Sequence, residues 1–129
     1  MDFKTLERPG SPNTFLLAPD GLCDRATPDE IAPHFETAPA DLFARAAAVL
    51  DGDRAIRIDA QDTAALRLKA VATTPLLRFK DDLDLAVLPA PGGGSGATLA
   101  IYSRSRLGHS DLGANARRVR TLVKNLHAT

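Results

Sequence analysis

The sequence contains no tryptophan, a single cysteine, a single tyrosine and no net charge. Each of these shortages excludes something. One cysteine, Cys23, rules out an internal disulfide and a cysteine-based zinc site. A lone free thiol fits a reducing compartment. The three histidines, His34, His109 and His127, are scattered and form no His-x-x-x-His pair. Sixteen basic residues balance sixteen acidic ones, so bulk electrostatics draws the chain toward neither nucleic acid nor a membrane. No apolar run approaches the roughly 20 residues needed to span a bilayer. Asp2, Lys4, Glu7 and Arg8 interrupt the start of the chain where a secretion signal would place its apolar core. The expectation is a soluble, cytoplasmic protein.

Familiar catalytic and cofactor signatures are missing as well. There is no Gly-x-Ser-x-Gly elbow. Gly92-Gly93-Gly94-Ser95-Gly96 lies between two expected strands rather than before a helix, so it reads as hairpin slack and not a phosphate loop. Asp81, Asp82 and Asp84 lack the spacing of a calcium-binding loop. No metal or cofactor is expected.

What is present is a globular composition. Of 129 residues, 44% are apolar and 25% charged, enough to build the core of one domain. Residues 1–38 carry Pro9, Pro12, Pro19, Pro28 and Pro33, and Ser11-Pro12-Asn13 is a turn signal. This segment reads as an irregular, extended arm, with Phe15-Leu16-Leu17 as an apolar patch laid on the body. The α+β core then occupies 39–127.

Pro39 suits a first helical position, and Asp41 complements the helix dipole. Leu42, Ala46, Val49 and Leu50 recur at helical spacing, and Gly52 marks a left-handed stop. The period then becomes two. Arg54 to Asp59, Leu66 to Thr73, Leu83 to Val87 and Leu99 to Arg106 read as strands with short connections, which favours antiparallel pairing. A last helix is expected from an N-cap at Ser110, with Leu112, Ala116, Val119, Leu122, Val123 and Leu126 as its apolar stripe. The sequence thus predicts helix, four strands, helix: a four-stranded antiparallel sheet with both helices on one face. Arg67, Lys69, Asp84, Tyr102, Arg104 and Arg106 would lie on the other, open face.

The densest polar stretch runs from Tyr102 to Arg118. Strand parity points Ser103 and Ser105 toward the helices, and Asp81 shares the parity of Leu83 and Leu85. Helical spacing turns Asn115 inward. Buried polar groups need partners, because an unpaired one costs about 1–3 kcal/mol. One reading is a structural network joining Asp81 or Asp82 to an arginine. The other is a ligand site formed by Asp81, Asp82, Ser103, Arg104, Ser105, Arg106, Ser110, Asp111, Asn115 and Arg118. The same stretch carries a resemblance. Phe79, Asp81 and Asp82, then Ser103, Ser105, Arg106, Gly108, Ser110, Asp111, Gly113, Asn115 and Arg118, resemble the pattern of an uncharacterised family, domain of unknown function 1499. The Ser11-Pro12-Asn13 turn resembles that family's opening segment. Thr14 stands where many members have Cys, and Tyr102 where the family has Arg. The resemblance implies the fold and the place of a site, and no reaction.

The function expected is a non-enzymatic accessory domain that binds a small anion-bearing molecule or a protein partner. Contact would come through the open face, at Arg67, Lys69, Arg104 and Arg106, or through the turn at Gly108. The alternative is a hydrolase-like enzyme using Asp81, Asp82, Ser105 and His109. Nucleic acid is not expected as a partner, since Tyr102 alone offers no stacking platform.

Overall fold

The computed structural model describes residues 1–10, 12–107 and 112–128. In chain order its elements are β1 (Thr14–Ala18), β2 (Glu30–Ile31), α1 (Pro39–Asp51), β3 (Ile56–Asp62), β4 (Arg67–Thr73), β5 (Lys80–Pro89), β6 (Ala97–Ser105) and α2 (Ala114–Ala128). The sheet has six strands in the order β2-β1-β6-β5-β4-β3. Strands β3 to β6 form an antiparallel meander, and β1 adds to β6, also antiparallel. The short β2 pairs parallel to β1, so the sheet is mixed.

This corrects the expected four-stranded antiparallel sheet and its helix, four strands, helix order. Two strands precede α1, and both come from the segment read as an irregular arm. Proline does not break β1. Pro12 and Pro19 stand outside it, so every residue of Thr14–Ala18 keeps its ladder N–H. The continuous apolar run reflects burial on both faces. Phe15 and Leu17 join the helix-side core, while Leu16 and Ala18 join a second cluster on the reverse face.

That second cluster is the other departure. Both helices pack on one face, where Leu42, Phe43, Leu50, Val119, Leu122 and Leu126 meet Leu83, Leu85, Leu99 and Ile101. The reverse face is not open. Phe3, Leu6, Leu22, Cys23 and Ala26 fold across it and bury Ala86, Ala100 and Tyr102. Alternation along β5 and β6 supplies small side chains there, which leaves room for an added layer.

Element ends differ from expectation in two informative places. Gly52 ends α1 in right-handed geometry (φ −77°), not the left-handed cap expected. The left-handed turn appears instead before α2, at Leu112 (φ 54°) and Gly113 (φ 81°), so the helix begins at Ala114. The expected N-cap, Ser110, lies outside the described residues. Between β5 and β6 the glycine-rich segment forms a 3-10 turn at Pro91–Gly93. Gly96 (φ 94°) is more than slack: a Cβ there would stand 2.3 Å from the Phe35 carbonyl oxygen. That close approach seats the bridge between Phe35 and Ala97.

Candidate functional site

Strand β5 starts at Lys80, so Asp81 and Asp82 both lie in the ladder and must leave opposite faces. Asp81 turns to the helix side, opposite Ser105 in register, and is 1% exposed. There it meets Arg118, one turn into α2. Arg118 Nη2 donates to Asp81 Oδ2 at 2.8 Å. Its Nη1 donates to Asn115 Oδ1 at 2.8 Å and to Ser103 Oγ at 3.0 Å.

Asn115 is the hub. Ser103 Oγ donates to its Oδ1 at 2.6 Å. Its Nδ2 donates to the Asn13 carbonyl at 2.9 Å and to Ser105 Oγ at 3.1 Å. Asn13, at the entry to β1, is itself buried, and its side-chain amide donates to the Leu107 carbonyl. One amide side chain thus ties β1, β6 and α2 together, while Arg118 brings in β5. An amide suits this place because it carries an acceptor and two donors on one rigid plane.

The network closes with one exception. Asp81 Oδ1 is buried and has no hydrogen-bond partner among the described residues. Asp81 also forms part of the wall of a cleft of about 460 Å³. Its apolar wall comes from Ile56, Ala72, Pro75, Leu77, Phe79 and Leu112. Ser105, Arg117 and Arg118 supply polar atoms, and Asp53 stands at one side. Across Ile56, Ala114 and Arg117 the cleft adjoins a second hollow between α1 and α2.

A model of the family described as protein of unknown function (DUF1499) matches residues 6–126. The chain belongs to this family. No curated protein matches it.

In this DUF1499 chain the residues expected at a site separate into three sets. Asp81, Ser103, Ser105, Asn115 and Arg118 converge on the helix side of the sheet. Asp82, Arg104 and Arg106 lie on the reverse face, each already engaged. Arg106 clasps Asp82 with Nε and Nη2, at distances from 2.9 to 3.2 Å, which raises the guanidinium further above its usual range through the hydrogen bond and the adjacent charge. Arg104 lies 2.8 Å from Asp84 and stacks over the Tyr102 ring at 4.9 Å. Gly108, His109, Ser110 and Asp111 lie outside the described residues.

The open basic face expected from the sequence is therefore corrected. Asp84 is buried between Arg104 and Lys69, and Tyr102 is buried under the N-terminal segment. Arg67 donates to the Met1 carbonyl at 3.0 Å. Sequence reasoning missed the apolar half of the cleft. Its signal was Thr74-Pro75-Leu76-Leu77, an apolar stretch at a turn where a polar one is usual.

Proposed function

We propose that the chain is a non-enzymatic binding domain for a small molecule with an apolar body and a hydrogen-bond-donating head, a hydroxyl or an amine. The observation that carries this reading is the unpartnered Oδ1 of Asp81, a residue that lines a mostly apolar cleft. Ligand pockets commonly have about this size and this balance of surfaces, mostly apolar with a few placed polar groups. A buried carboxylate oxygen without a donor is destabilising, so a donor delivered through the cleft is favoured. The oxygen is shut off from solvent, so binding requires the side chains over it to part. The head is a donor rather than an anion because the nearest guanidinium, Arg118, is already shared among Asp81, Asn115 and Ser103. A hydrolase-like role has less support. Asp81 and Asp82 diverge to opposite faces of β5 and cannot work as a carboxylate pair.

Native mass spectrometry of protein purified from its host tests the proposal. The expected spectrum shows a retained small molecule that is absent from the Ala114→Trp variant. Ala114 is half-buried and lines the cleft from the start of α2, so a large ring there fills the space without entering the core. A spectrum of bare protein, with no response to added amphiphiles, contradicts it.

A further inference from the structure

The cleft opens at an end of the molecule whose surface is unusual in its own right. Leu76 is 95% exposed, Leu112 84%, Leu77 71% and Leu107 50%. These residues come from two connections, β4–β5 and β6–α2. Leu77 and Leu112 flank the same cleft. The Arg106 N–H donates to the Lys80 carbonyl at 3.1 Å, which sets Leu107 beside the start of β5. Three residues here have left-handed backbone without being glycine: Leu76 (φ 63°), Arg78 (φ 59°) and Leu112 (φ 54°). That conformation is uncommon for such residues, and where it persists a function is the first thing to seek.

Basic side chains surround these leucines. Arg78, Lys80 and Arg117 are exposed and form no ion pair among the described residues. Asp82 is paired with Arg106, and Asp53, whose carboxylate accepts the Ala55 N–H at 2.9 Å, keeps its charge but is outnumbered by the three exposed cations. We propose that this leucine-tipped, basic end docks on an anionic lipid bilayer. Apolar side chains entering the headgroup region, with cations at its surface, is the chemistry of interfacial binding. A protein partner fits less well. Leucine, which dominates this tip, is under-represented among interface hot spots, and among the described lining residues Phe79 is the one aromatic. The surface stands apart from the identity of whatever fills the cleft.

Co-sedimentation with vesicles tests the proposal, using phosphatidylglycerol mixed with phosphatidylcholine against phosphatidylcholine alone. The full chain is expected to sediment with the anionic vesicles, less as salt rises and little with neutral ones. Removing a leucine that enters the bilayer weakens partition by about tenfold, so Leu76→Ser with Leu77→Ser together should abolish it. Arg78→Glu should weaken it without touching an apolar contact. It serves as the second variant, should the double one melt early. Failure of the unaltered chain to bind anionic vesicles overturns the proposal, as does binding unchanged in both variants. Concentration-dependent dimerisation lost in the same variants, without vesicle binding, assigns the surface to a second copy instead.

Discussion

Replacing Asn115 by alanine removes the hub and leaves its partners in place, so the cost can be worked from the contacts. The Asn13 carbonyl keeps the Ser105 N–H at 3.0 Å. Ser105 Oγ is half-buried and can turn to water. Ser103 Oγ still accepts from Arg118, but its own proton loses its acceptor at a fully buried position. One orphaned buried hydroxyl costs about 1–3 kcal/mol. Arg118 loses one charge-assisted bond, and the lost amide leaves a void where the interior is close-packed. The sum is about 2–4 kcal/mol, a large share of the stability of a small domain. Urea unfolding followed by circular dichroism measures it, with a lower midpoint and an unchanged slope expected. Asn115→Asp serves as a control. It keeps the acceptor for Ser103 and Arg118 but sets an oxygen against the Asn13 carbonyl, so it should also destabilise. A change in Asn115→Ala of less than about 0.5 kcal/mol, the range of ordinary surface substitutions, refutes the reasoning.

Arg106→Ala should leave the melting temperature nearly unchanged, because its pair with Asp82 is half-exposed. Arg104→Ala should cost more, because it strips the buried Asp84 of its closest cation and uncovers Tyr102; equal melting of the two variants counts against this ranking. Gly96→Ala should destabilise by more than about 2 kcal/mol through the clash with the Phe35 carbonyl and the left-handed φ, as measured by thermal melting. Burial raises the Cys23 thiol pKa, with Asp24 adding to the effect. Alkylation at mildly alkaline pH should therefore be slower in the folded chain than in denaturant, and equal rates would place Cys23 in open solvent.

The buried polar network was more legible in the sequence than the sheet. Parity alone turned Ser103, Ser105 and Asp81 toward the helices, and helical spacing turned Asn115 inward. Those assignments rest on periods of two and 3.6 that side-chain chemistry does not disturb. The network partner that stayed hidden, Asn13, is about 100 residues away in sequence, and only the β1–β6 ladder brings it into place. The two N-terminal strands were hidden for a related reason. Prolines flanking a five-residue strand resemble prolines interrupting one, and the difference is which N–H groups pair. The reverse face was misread because Arg67, Lys69, Arg104 and Arg106 suggest water. Their intervening alanines, Ala86 and Ala100, are what admit Phe3 and Leu6. A charged residue at a strand position does not say whether its neighbour is covered.

The measurement that bears most directly on the account is amide chemical-shift mapping with octan-1-ol and with octanoate. Octanol is expected to shift amides around the cleft, at Ile56, Ala72, Thr73, Leu77 and Ala114, and octanoate to do so more weakly. Shifts gathered at Arg104 and Tyr102, or a stronger response to octanoate than to octanol, would contradict it.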